Sequence, residues 1–372
     1  MITLTDIEAA HHRIRPTIHV TPCEYSETFS ALSGNPTFFK LENLHMTGSF
    51  KERGALNKLL LMTPDESAKG VICASAGNHA QGVAYHATRL GIRAIIYMPE
   101  HAPITKINST ERFGGEVVLF GKSFDEALAE AKRRAESDGL VFIHAFDDPA
   151  VIAGQGSIGL EILSQNPFVE AILTPVGGGG LIGGIACAIK ETNPKIKVVG
   201  VQTSRIPSMI AALEHHKPIE LPAATTIADG IAVRRAGDQT LPLVEKYVDD
   251  VVTVEEEEIA SAILYLLERE KTVAEGAGAA AVAALLHNKT KLKGKKTVSL
   301  VCGGNIDPLF LSHIIERGMV KDGRLVRIRV VVPDRPGALH ALTGIFADMR
   351  VNVVTIAHER AYYCLLYTSP SP

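Results

Sequence analysis

The chain has 372 residues, 46% of them hydrophobic and 21% charged, the balance of an ordinary water-soluble globular protein. At about 150 residues per domain, that length predicts two or three domains. A net charge of −3 argues against a nucleic-acid or anionic-membrane partner held by bulk charge. The five cysteines, Cys23, Cys73, Cys187, Cys302 and Cys364, are odd in number and show no CxxC spacing. That pattern argues against a disulfide framework or a structural zinc site and predicts a reducing, cytoplasmic setting. Residues 1–15 hold Asp6 and Glu8 and lack an apolar core, so they are not read as a signal peptide.

Thr5-Asp-Ile-Glu8 reads as a capping box opening an amphipathic helix. Apolar strand-like runs then alternate with Ala-rich helical runs. Strands are predicted at Val71–Ser75, Ala94–Met98, Val117–Phe120 and Val141–Ile143. Helices fall between them at His79–Leu90, Ile104–Phe113 and Ser123–Ser137, the last with an apolar face of Phe124, Leu128 and Ala131. Beyond Pro149 the rhythm resumes: helix Ala153–Ser164, strand Ala171–Val176, helix Leu181–Glu191, strand Lys197–Gln202 and helix Ser208–His215. Then come strand Asp250–Val254, helix Glu256–Glu268 capped by Thr253, helix Gly278–Leu286 and strand Thr297–Val301. Such alternation implies parallel sheets with helical crossovers, in two α/β halves over residues 1–320. Ala171–Ile189 is uncharged over about 19 residues, near a membrane span. Its Pro175 and six glycines make it strand, loop and helix instead. From Gly323 the texture changes to a small α+β module: strand Leu325–Val332, turn Pro333–Gly337, helix Ala338–Met349 and strand Val351–His358. Residues 361–372 show neither helical nor strand period and read as a non-native or disordered tail.

Four segments could carry chemistry. Gly177-Gly178-Gly179-Gly180-Leu181 joins a strand to a helix N-terminus, where bare N–H groups suit a phosphate. No Lys-Ser/Thr follows, so it is not a P-loop. Gly178, Gly180 and Gly183 fit G-x-G-x-x-G, but a nicotinamide-dependent oxidoreductase would want an acid where Gln202 stands. A ligand-free turn is the simpler alternative. Ser75-Ala76-Gly77-Asn78-His79 also precedes a helix; its amides and the Ser75 hydroxyl suit a carboxylate, and helix capping by Ser75 or Asn78 is the alternative. Lys51 follows Thr47-Gly-Ser-Phe50 and opens a helix, where the positive end of the dipole lowers an amine's pKa and suits a Schiff-base lysine. A solvated surface lysine is the commoner fate. Cys302-Gly-Gly-Asn305 ends a strand that reads as central, and Cys302 alone could be core filler. No metal-ligand spacing is present.

Together and in this order, the four segments resemble the pyridoxal-phosphate enzymes of the tryptophan-synthase-β fold (fold type II), and most closely the threonine dehydratases, or threonine ammonia-lyases. The resemblance covers residues 1–320 and is near letter-for-letter over Glu42–Lys51 and Ser75–Gly82. It implies two parallel-sheet subdomains, the smaller at about 48–150 inserted in the larger. It implies that Lys51 carries pyridoxal 5'-phosphate covalently and acts as the base. Phe50 then packs on the ring, Asn78 bonds the ring hydroxyl, and Gly177 to Gly180 with Leu181 hold the phosphate. Ser75, Ala76, Gly77, Asn78 and His79 take the substrate carboxylate. Cys302 faces the ring nitrogen and Gly230 lines the cofactor face. The expected reaction converts L-threonine to 2-oxobutanoate and ammonia, with L-serine as a second substrate. Serine racemase or a β-replacement enzyme of the same fold is the alternative. Ala76 supplies no proton for racemisation, and Gln202 no carboxylate for a racemase's divalent metal. Arg327–His358, with Asp334-Arg-Pro-Gly337, resembles the first half of an ACT domain. It implies an amino-acid effector site, here incomplete (about 325–360), with weak or absent feedback. Relatives of this kind are dimers or tetramers, so a homo-oligomer is expected.

Overall fold

The strand–helix rhythm resolves into two sheets. The computed structural model describes residues 1–333 and 335–358; Asp334, Cys364 and the tail reading at 361–372 fall outside the described residues. Ten strands form among them. They are β1 (Cys23–Ser26), β2 (Thr37–Leu41), β3 (Val71–Ala74), β4 (Ala94–Met98), β5 (Glu116–Leu119), β6 (Val141–Phe142), β7 (Ala171–Pro175), β8 (Lys197–Thr203), β9 (Asp250–Val254) and β10 (Thr297–Val301). The larger sheet runs β1-β2-β10-β7-β8-β9 and the smaller β5-β4-β3-β6. All pairs are parallel except β1 on β2. The smaller sheet lies wholly between β2 and β7 in the chain, so it forms an inserted lobe.

Each sheet is apolar along its central strands because helices cover both faces. Every residue of β3, β4, β7 and β10 is buried. The helix Gly276–Leu286 has no polar face, so it can only be buried all round, and it is, with ten of its eleven residues enclosed. The helices Pro149–Gln165 and Gly180–Thr192 cross at glycine: a Cβ on Gly184 would lie 2.4 Å from the Ile152 carbonyl oxygen. That close crossing fixes the N-terminus of the Gly180 helix under the smaller lobe.

Several local expectations are corrected. The first helix, Leu4–Ile14, is capped by Thr3 with Asp6 completing the box, so the start lies two residues earlier than the Thr5/Glu8 reading. Capping at Glu256–Tyr265 comes from the Glu255/Glu258 pair, not Thr253, and the helix ends in a π-turn at Leu266–Glu270. Helix Phe124–Asp138 buries Ala127, Ala131 and Ala135 while Phe124 is exposed. Small residues let that helix sit close on its sheet, so the buried stripe follows alanines rather than the largest apolar side chain. Strands β1 and β2 went unread because they are only four and five residues long.

The chain divides into two compact units, Met1–Gly318 and Met319–Pro372. In the second, helix Ala338–Asp348 forms as expected. The strands expected at 325–332 and 351–358 do not form: among the described residues no ladder joins them. Two short segments make a marginal sheet without further strands to complete it. No helix of the described residues is long and apolar enough to cross a membrane.

Candidate active site

Lys51 is the first residue of helix Lys51–Leu60, and the turn before it is tied at both ends. The Thr47 N–H donates to Glu52 Oε1 at 2.5 Å, and the Phe50 N–H donates to the Cys302 carbonyl at 3.1 Å. Behind the turn, Arg53 is fully enclosed. Its guanidinium donates to Glu42 at 2.7 and 2.9 Å and to Glu161 at 2.6 and 2.8 Å. Lys40 reaches Glu161 at 2.6 Å. These buried pairs anchor the lysine's helix to β2 and to the Pro149 helix.

The Lys51 Nζ donates to the Ala145 carbonyl at 2.8 Å and stands 5.2 Å from the Phe50 ring centroid. Burial, the largest cause, pushes its ammonium down to about 8, against the pull of Cys302 and Glu275. Next to Ala145, Phe146 closes on the glycine loop: a Cβ on Gly178 would sit 2.2 Å from its ring, and one on Gly180 2.6 Å from its carbonyl oxygen. Gly179 has φ +98°, a left-handed conformation that glycine adopts without strain. Thr240 Oγ1 bonds the Gly178 carbonyl at 2.5 Å from behind. No side chain caps the Gly180–Thr192 helix. The loop is a cradle of backbone with no room for Cβ atoms and with uncapped N–H groups, which fits a phosphate monoester. With a lysine of lowered pKa beside it, the donor set fits pyridoxal phosphate.

The remaining residues gather on the same place. Gly177 packs on Ile231 and Gly230, and Gly230 on Ala277 and Glu275. Cys302 Sγ donates to the Ala277 carbonyl at 3.5 Å, and burial followed by Glu275 holds its thiol well above the usual range. Asn78 Nδ2 donates to Glu275 Oε1 at 2.6 Å, and its Oδ1 accepts from Asn305 Nδ2 at 2.8 Å. In the loop before it, the Gly77 N–H donates to Ser75 Oγ at 3.1 Å, and Gly77 borders open space. The helix Asn78–Arg89 has no side-chain cap, so neither Ser75 nor Asn78 serves that role. Ala76 is half-buried beside them. The His79 Nε2 bonds the Ile143 carbonyl at 3.0 Å. Burial and then Lys51 push its imidazole down to about 3. With Nε2 taken, His79 offers its backbone N–H and the buried, unpartnered Nδ1. Leu181 is buried in the first turn of its helix.

Sequence reasoning missed Glu275, Ala145 and Phe146, and quoted Asn305 without giving it a role. Glu275 carried a signal: a lone acid directly before an uninterrupted apolar helix. Burial, then Asp229, raises its carboxyl to about 7. Gln202 is a structural cap, its Oε1 accepting from the Met209 and Ile210 N–H groups at 3.0 and 3.1 Å.

A family model described as pyridoxal-phosphate dependent enzyme matches residues 14–303, and an ACT domain model matches 326–363. The chain is 52% identical over 361 residues to an L-threonine ammonia-lyase of Thermotoga maritima, covering 97% of this chain and 90% of that one. It is 48% identical over 360 residues to an L-threonine ammonia-lyase of Geobacter sulfurreducens, with the same coverage of each, 97% and 90%. Among solved structures, the processed form of threonine deaminase isoform 2 from Solanum lycopersicum aligns with a TM-score of 0.81 at 38% identity, over 85% of this chain and 87% of that one. Maize serine racemase aligns with a TM-score of 0.80 at 34% identity, over 86% and 99%.

Proposed function

The chain belongs to the pyridoxal-phosphate-dependent enzyme family, and on that premise we propose that it is a lyase that deaminates L-threonine to 2-oxobutanoate and ammonia, and L-serine to pyruvate. The observation that carries this is the half-buried Lys51 amine, lowered to about 8, beside an uncapped glycine cradle. Bound pyridoxal phosphate supplies an electron sink for the bond broken at the substrate α-carbon. The chain's residues do the rest. The N–H groups of Gly177 to Gly180 and Leu181 hold the phosphate, and Phe50 packs along the ring. Amides of Ser75, Ala76, Gly77, Asn78 and His79, with the Ser75 hydroxyl, take the substrate carboxylate. Lys51 would attach the cofactor, and its Nζ would be the general base that takes the substrate's α-proton.

Cys302, kept neutral by burial, would serve beside the ring nitrogen without forcing it to stay protonated. That weaker electron pull would suit elimination of the β-hydroxyl. Gly230, without a side chain, would leave room for the cofactor. Ala76 lacks a titratable group, so the second proton transfer a racemase needs has no donor there. The enzyme works in the cytoplasm as a homo-oligomer, a dimer or tetramer, and its ACT-like end, without a sheet among the described residues, gives weak or absent feedback by an amino-acid effector.

The test is keto-acid release from L-threonine with and without added pyridoxal phosphate. Cofactor-dependent 2-oxobutanoate is expected, and Lys51→Ala should lower kcat by about 10²–10⁴-fold or more. A Lys51→Ala chain with wild-type turnover would refute the assignment.

A further inference from the structure

Three side chains beside the site have their hydrogen bonds fixed by one backbone carbonyl. The Thr47 carbonyl can only accept, so the Asn305 atom 2.7 Å from it is the nitrogen, Nδ2. The same nitrogen lies 2.8 Å from Asn78 and offers its second hydrogen there. Asn78 must therefore turn its oxygen toward Asn305. Its nitrogen then faces the other way, and there Glu275 Oε1 accepts at 2.6 Å. An isolated asparagine could present either end, and only such a chain of partners decides which.

Asn305 packs closely against the Gly48 backbone. A Cβ on Gly48, whose φ is +72°, would lie 2.5 Å from Asn305 Oδ1, and the Gly304 N–H donates to the Gly48 carbonyl at 2.9 Å. Gly303 has no room for a side chain either: a Cβ there would sit 2.4 Å from Glu275 Oε1 and 3.1 Å from Asn78 Nδ2. Of the two Nδ2 hydrogens on Asn78, one goes to Glu275 and one is left for a ligand.

We propose that Asn305 is a positioning residue: it locks the Asn78 amide so that a donor, never an acceptor, faces the cofactor's ring oxygen. The inference rests on the pyridoxal-phosphate reading of this site. A locked donor favours a ring oxygen without its proton and disfavours the protonated form. Asn305 also joins the lysine's turn, through Thr47, to Asn78 on the inserted lobe. One amide thus sets the register of two groups that approach the cofactor from separate elements.

The experiment compares wild-type holoenzyme with Asn305→Asp and Asn305→Ser. Three quantities are read: the Kd for pyridoxal phosphate, the ratio of the visible bands of the bound cofactor across pH, and the melting temperature. The aspartate has no donor for Asn78 Oδ1, so the amide loses its lock and, with Glu275 protonated to donate to it, turns over and presents its oxygen to the cofactor. The expected result is a Kd raised about tenfold or more and a band ratio whose midpoint moves to higher pH. Serine keeps one donor on a shorter arm and should fall between the two, which keeps the inference testable if the aspartate chain does not fold. Bands and pH profile identical to wild type in both variants, with only the melting temperature lowered, would overturn the inference and leave a structural role. A folded wild-type chain that takes up no pyridoxal phosphate would overturn the reading beneath it, and the inference with it.

Discussion

Lys51 shows how much one side chain's surroundings decide. Its amine is lowered to about 8, mainly by burial, from an ordinary value near 10.5. Only the neutral amine attacks the cofactor's aldehyde. The neutral fraction grows as pH rises through about 8, so the rate of cofactor uptake by the apo chain should climb over about pH 7–9 and then level off. Stopped-flow absorbance at fixed cofactor concentration checks this, and a rate that is flat until pH 10 would contradict it. The same burial disfavours folding while the unfolded lysine is charged, so that cost is present below about pH 8 and is relieved toward 10.5. The position of Lys51 was legible because Gly-Ser-Phe-Lys and the following helix are local features. The Asn78–Glu275 contact was not, because it joins residues far apart in sequence through a fold that no local pattern encodes.

Among elements, the crossing of Pro149–Gln165 on Gly180–Thr192 matters most to the site, since it sets where the phosphate cradle stands. Gly184→Ala puts a Cβ 2.4 Å from the Ile152 carbonyl oxygen and 2.8 Å from the Gly156 nitrogen. Backbone on both sides cannot give way cheaply, so this single methyl should cost about 1–3 kcal/mol of stability and weaken cofactor binding. Denaturant unfolding and a cofactor titration measure the two effects, and an unaltered midpoint would show the helices are free to separate. The buried parallel strands were readable as apolar runs, and their helices as Ala-rich spacing. The caps were less so: Thr3 rather than Thr5, and Glu255 rather than Thr253, differ by the hydrogen-bond geometry of a single turn. The C-terminal strands show the opposite failure. Alternation at 325–332 describes what a strand would bury, and strands form only where a neighbour completes them.

At the scale of the whole molecule, that missing ladder bears on control. An effector site of the ACT type needs a sheet to present it, and the described residues of this unit provide one helix without one. Turnover of L-threonine should therefore show no saturable inhibition by isoleucine or valine; a hyperbolic inhibition curve for either would contradict this. In the catalytic unit, the inserted lobe is held to the segment beside Gly230 by Lys106–Asp229 at 2.5 Å and Asp125–Arg234 at 2.8 Å, pairs open enough to solvent that salt should loosen them. The enclosed set of Lys40, Glu42, Arg53 and Glu161 behaves differently, because water cannot screen it. Its consequence is thermal. The penalty for stripping water from ions shrinks on heating, while apolar burial levels off. An apolar quartet at these four positions should match or exceed the native set by about 1–4 kcal/mol at 25 °C and lose that lead steadily in the heat. The ions under the lysine's helix thus tilt this fold toward warm working conditions.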